Sequence, residues 1–146
     1  MARLNLLHHP LFWTLMYLFF LRSASEEINS TSGQNVTLTC RAPNNNNIIV
    51  VEWSRADLKE EYVLMYRDGH LYPDGQHPSF KNRVDLQDRQ MKDGDVSLIL
   101  KNVTINDTGT YECRVVQRGN NRGKRAVLKN NPINIIYLSV VDPPGE

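Results

Sequence analysis

Cys40 and Cys113 are the only two cysteines in the chain and stand 73 positions apart. A bond between them would hold two distant segments face to face. The chain-entropy model assigns a loop of that length about 4 kcal/mol, a large share of a small domain's stability. Closure depends on the compartment, and the N-terminus indicates which one. Arg3, His8 and His9 precede an apolar run from Leu11 to Leu21, which gives way to Ser23-Ala24-Ser25 and then Glu26-Glu27. This is the order of a secretory signal: the run is shorter than the ~20 apolar residues a bilayer span needs, and small residues stand where a signal peptidase cuts. Export places both cysteines in an oxidising compartment where a pair normally closes, the alternative being two separate buried thiols.

Residues 1–25 are therefore expected to be removed, residues 26–141 to form one domain, and 142–146 to begin a linker, since Asp142-Pro143-Pro144-Gly145-Glu146 cannot continue a strand ladder. Taking 25 residues from 146 leaves 121, enough for one core and too few for two ordinary domains. Arg3 and Arg22 leave with the signal, so 15 of the 17 Lys+Arg remain against 16 Asp+Glu. A charge so close to zero does not favour nucleic acid or anionic membrane as a partner. No membrane span is read in this chain. It is expected to be extracellular: secreted as written, or on the outer side of the plasma membrane if it belongs to a longer anchored protein.

Beyond the signal the apolar residues recur with a period of two. Val36, Leu38 and Cys40 form one such set, and Val51 with Trp53 a second. Val96, Leu98 and Leu100, then Tyr111, Cys113 and Val115, then Ile136, Leu138 and Val140 supply three more. Alternation of this kind is the mark of half-buried strands. Between them stand turn residues: Asp68-Gly69, Pro73-Asp74-Gly75, Asp93-Gly94, and Gly119 and Gly123 around Asn120-Asn121. The pattern predicts an all-β, two-sheet sandwich, with an extra strand over residues 62–67 before the Asp68-Gly69 turn.

Cys40, Trp53 and Cys113 come in the order such a sandwich uses, two cysteines on facing sheets with an indole packed on their bridge. Asp107-Thr108-Gly109-Thr110-Tyr111-Glu112-Cys113 adds a tyrosine two residues before the second cysteine, where its hydroxyl can bond back to the preceding turn. On these residues the chain, over roughly 28–141, resembles the immunoglobulin superfamily. The 53 residues between Trp53 and Asp107 leave room for the extra edge strands of the variable type, a Greek-key sandwich. The same resemblance implies that Arg83 bridges Asp107 beneath the domain. The strings VLMYRDG (63–69), FKNRVDL (80–86) and DVSLILKNVTINDTGTYEC (95–113) are most similar to butyrophilins, myelin oligodendrocyte glycoprotein and related co-stimulatory ligands. The Phe-Gly-x-Gly motif of antigen-receptor variable chains is absent from residues 134–141, which argues against an antibody or T-cell-receptor chain.

Nothing in the sequence assembles a catalytic constellation. His70 and His77 are seven apart in a turn-rich stretch and lack partners for zinc once both cysteines are committed. There is no phosphate-binding glycine loop and no calcium loop, so no cofactor, no metal and no enzymatic role are read.

The expected function is recognition of another protein, an immunoglobulin-like receptor in the first instance, in regulating immune-cell signalling. Self-association in cell adhesion is a second reading. A lectin for sialic acid or sulfated glycans is a third, because Arg114 lies on the strand from which sialic-acid-binding members of the superfamily grip the sugar carboxylate. The predicted contact residues are Glu52, Glu112, Arg114, Val116 and Tyr137 on the sheet of Trp53 and Cys113, with Arg118, Arg122, Lys124 and Arg125 in the basic stretch after it. Tyr137 and Arg114 are the expected anchors. Four sequons, at Asn29, Asn35, Asn102 and Asn106, are glycosylation candidates. They are expected to clothe the opposite sheet and the lower end and to leave the front sheet bare.

Overall fold

A computed structural model of the protein describes residues 25–44, 47–118 and 131–145. Residues 1–24, within the expected signal, and Gly119, Asn120, Asn121, Arg122, Gly123, Lys124 and Arg125, lie outside the described residues. Among those described, nine strands form the predicted two-sheet sandwich. They are β1 (Glu26–Thr31), β2 (Val36–Leu38), β3 (Ile48–Arg55), β4 (Leu64–Arg67), β5 (His70–Leu71), β6 (Val84–Leu86), β7 (Leu98–Leu100), β8 (Gly109–Gln117) and β9 (Asn134–Val141). One sheet has the order β1-β9-β8-β3-β4-β5 and the other β2-β7-β6. Among the described residues no helix is long and apolar enough to cross a membrane.

The five alternating sets all point into the space between the sheets. Leu38, Leu98 and Leu100 from the small sheet meet Val51, Trp53, Tyr111, Ile136 and Leu138 from the large one, each with no exposed surface. Cys40, just past β2, is bonded to Cys113 on β8, with their Cα atoms 6.6 Å apart, and so joins the two sheets through the core. Trp53 is the register partner of Cys113, and its indole N–H donates to the Val96 carbonyl at 2.9 Å, so its one polar atom is satisfied inside the core. The strand predicted before Asp68-Gly69 is β4. Asp68 (φ 51°) and Gly69 (φ 83°) both take positive φ, the two-residue turn whose twist matches the β4–β5 hairpin.

The lower end is closed by a polar network. Arg83 places Nη1 3.3 Å and Nη2 2.5 Å from the two carboxylate oxygens of Asp107, whose side chain is 3 % exposed. Asp107 also accepts from the Thr104 backbone N–H, and its carbonyl accepts from the Tyr111 hydroxyl. Arg55, which the sequence did not single out, belongs to the same end. Its guanidinium lies over the Phe80 ring at 5.4 Å, donates to the Asn106 carbonyl at 3.0 Å and pairs with Asp57.

One assignment is corrected. β1, with the sequon at Asn29, was expected to leave the front sheet bare, yet it pairs in parallel with β9 and forms the edge of that sheet. Only Ile28 of this strand packs against the core, so its sequence carries little preference for either sheet. The free backbone edge of β9 receives it, and Ser32 extends the pairing through its N–H to the Val141 carbonyl. The other three sequons sit at the lower end: Asn35 just before β2, where its side-chain oxygen accepts from the Asn102 backbone N–H, and Asn102 and Asn106 around the turn into β8.

Candidate functional site

Residues of the six-stranded sheet that alternate with the core set form its outer face, and the register places them in rows. Glu52 lies between Met65 on β4 and Arg114 on β8. Ser54 stands opposite Glu112, which in turn stands opposite Ile135 on β9. Tyr137 is flanked by Thr110 on β8 and Glu27 on β1. Thus Glu52, Glu112, Arg114 and Tyr137, four of the residues predicted from sequence, do share one face.

At its centre the charges are organised. Arg114 pairs with Glu112 at 2.8 Å and donates to the Ser54 hydroxyl at 3.1 Å, and both charged side chains are about three-quarters covered, at 23 % and 25 % exposure. The guanidinium is thereby held in one orientation across β3 and β8. Burial raises the Glu52 carboxyl above the ordinary range; Arg114 opposite it partly offsets this and the charge of Glu112 adds to it.

Apolar residues lie on both sides of this centre, exposed on one and covered on the other. Ile133 (39 % exposed), Ile135 and Tyr137 (41 % exposed) follow one another at alternate positions along β9 and its approach. On the other side Val50, Tyr62, Met65 and Val116 form a second, covered apolar cluster with Ile49 packed against it. Val116, predicted as a contact residue, is 4 % exposed and supports the face from within this cluster. Tyr62 and Met65 were not foreseen, because only the β3–β4 pairing brings them beside Val50 and Glu52. The phenol of Tyr62 is raised chiefly by burial, with Tyr72, Asp74 and Glu52 adding to the shift. Arg118 is exposed at the end of β8. Arg122, Lys124 and Arg125 fall outside the described residues. Among the described residues no group of three or more His, Cys, Asp or Glu is placed to hold a metal ion.

A face of this kind can dock a complementary surface. The family model "Immunoglobulin V-set domain" matches residues 23–128. The chain is 33 % identical over 124 residues to V-set and immunoglobulin domain-containing protein 1 of Xenopus laevis, covering 81 % of this chain and 34 % of the relative. It is 32 % identical over 117 residues to programmed cell death 1 ligand 1 of Mus musculus, covering 76 % of this chain and 39 % of the relative. It thus spans a little over a third of the length of these curated relatives. The crystal structure of bovine butyrophilin superposes with a TM-score of 0.61 at 24 % identity, over 79 % of this chain and 50 % of that one. The sandwich, the Cys40–Cys113 bridge and these matches agree: the chain belongs to the immunoglobulin V-set family, among relatives of the co-stimulatory and butyrophilin group.

Proposed function

We propose that this chain is an extracellular recognition domain that binds an immunoglobulin-like domain of another cell-surface protein, through the outer face of the six-stranded sheet, to regulate immune-cell signalling. The observation that carries the reading is the Glu112–Arg114–Ser54 cluster, its two charged side chains oriented and three-quarters covered, with exposed Ile133 and half-buried Ile135 beside it. Protein-binding patches combine a preorganised polar centre, an arginine anchor within it, with adjoining apolar surface in this way. Family membership supports it: disulfide-bonded V-set domains are typically extracellular or cell-surface binding modules and not enzymes, and one relative is by name a ligand of programmed cell death 1.

The lectin reading is weaker on electrostatic grounds. Arg114 already pairs with Glu112 and faces Glu52, so a sugar carboxylate would approach two like charges and compete for a guanidinium already engaged. The adhesion reading would use the same face. Sedimentation of the secreted domain, together with binding to a panel of immunoglobulin-like ectodomains, tests the proposal. A monomer that binds a panel member and loses it on Arg114→Glu supports it. Self-association at micromolar concentration, abolished by the same change, would replace it with adhesion.

A further inference from the structure

The parallel pairing of β1 puts an N-glycan acceptor on the recognition face itself. Asn29 is the register partner of Ser139, which lies between inward-pointing Leu138 and Val140, so the Asn29 side chain stands on the outer side of the sheet. The packing of neighbouring Ile28 against the core gives the same orientation independently. Glu27, two residues earlier, is the partner of Tyr137. With a strand rise near 3.3 Å and a strand spacing near 4.8 Å, the Cα atoms of Asn29 and Tyr137 are about 8 Å apart. Asn29 is exposed, and its carboxamide makes no hydrogen bond among the described residues. It borders an open groove of about 420 Å³ whose lining includes Thr31, Asn35 and Val141, the last 56 % exposed.

We propose that Asn29 carries an N-linked glycan that lies over Tyr137 and Val141 and forms the β1-side boundary of the recognition face, leaving the Glu52–Arg114–Glu112 centre open to a partner. The consequence for binding rests on the function proposed above; the glycan and its position do not. In the transfer the Asn29 carboxamide nitrogen attacks the anomeric carbon of a polyprenyl-diphosphate-linked oligosaccharide. A C–N bond forms, the C–O bond to the diphosphate breaks, and the lost amide proton balances the departing polyprenyl diphosphate. The attachment point matches what this edge requires. Among the described residues β1 offers an unpaired row of backbone N–H and C=O groups, and a bulky hydrophilic chain on it blocks edge-to-edge pairing with another sheet. The C–H faces of sugar rings cover the apolar surface left bare at Tyr137 and Val141.

The test uses the full chain secreted from mammalian cells. Peptide mapping after treatment with peptide-N-glycosidase reads occupancy, because release of the sugar converts Asn29 to aspartate. Hydroxyl-radical footprinting then compares the native glycoprotein with the enzyme-treated protein and with Asn29→Gln and Thr31→Ala, two separate ways of removing the sequon. Oxidation of Tyr137 is expected to rise several-fold in all three, while Tyr72, 43 % exposed beyond the β5 edge, stays unchanged as the internal reference. An unmodified Asn29, or equal oxidation of Tyr137 with and without the sugar, overturns the proposal. Neither readout involves a partner, so a failure here is separable from a failure of the proposed function.

Discussion

Arg83 and Asp107 meet end to end beneath the sandwich, two guanidinium nitrogens on two carboxylate oxygens, 24 residues apart in sequence. The pair is more than a surface contact, because Asp107 is buried and also caps the turn at Thr104, while its backbone carbonyl receives the Tyr111 hydroxyl. Asp107→Ala removes the carboxylate from both roles and leaves the Arg83 guanidinium, among the described residues, with the Ser79 and Asn102 carbonyls. The expected loss is about 2–4 kcal/mol, against about 0.5 kcal/mol for a solvated pair. Thermal unfolding measures it, and Arg83→Lys, which keeps the charge but loses the fork, should fall between.

Glu52 sets a pH dependence of the opposite sign to the usual paired carboxylate. Burial raises its pKa, so its ionised form is the costlier one in the folded state. Its contribution to stability is intact below the unfolded-state carboxylate value and is lost as pH rises through the higher folded value. Glu52→Gln is therefore expected to stabilise the domain at neutral pH by up to about 1 kcal/mol, discounted for the partial exposure of the side chain. The gain should vanish under acid conditions. Melting curves of both proteins near pH 4 and near pH 7 check it, and a gain that persists in acid would point to packing instead of charge.

Gly75 supports the covered side of the same face. It has φ +86°, and a Cβ there would come within 2.9 Å of the Tyr62 ring. Gly69 has a similar φ of +83°, and a Cβ there would meet nothing within 4 Å among the described residues. Alanine at either position strains the backbone by about 1 kcal/mol, and only at Gly75 must Tyr62 also move. Denaturant unfolding should show Gly75→Ala to be clearly the more destabilising of the two, with the difference disappearing in a Tyr62→Ala background.

Much of the sandwich was legible because its signals are tied to single jobs. Cys40, Trp53 and Tyr111 stand where their spacing placed them, Arg83 meets Asp107 as the family resemblance implied, and the period-two sets at β2, β3, β7, β8 and β9 point inward as read. The edge of the large sheet was not legible. β1 is polar apart from Ile28, and nothing local says whether its backbone pairs with β9 or with the smaller sheet. Arg55 was missed for a similar reason, since Phe80 and Asn106 reach it only after the chain has folded. At the candidate site the outward direction of Glu52, Glu112, Arg114 and Tyr137 followed from alternation alone. That Val50 and Val116 would be covered did not, because Met65 comes from neighbouring β4, whose register the sequence does not state, and Tyr62 from the segment just before it.

The face itself can be tested by building an obstacle at its centre. Glu112→Asn with Arg114→Thr creates a sequon on β8, two strands in from the edge and opposite Ser54 and Ile135. A glycan there stands over Glu52 and between the two apolar flanks, which no partner using this face could tolerate. The same change removes one acid and one base, so the loss of charge must be separated from the bulk of the sugar. Glu112→Gln with Arg114→Thr does this, since it deletes the same ion pair and offers no acceptor. With folding confirmed by melting and occupancy by mass, the glycosylated variant is expected to lose binding to partner-bearing cells altogether. The glutamine control should be weakened by about 2 kcal/mol, roughly thirtyfold, as befits the loss of an arginine anchor. Equal weakening in both variants would mean that the ion pair matters and the face is not covered by the partner. Full binding by an occupied, folded glycan variant would move the recognition surface off this sheet.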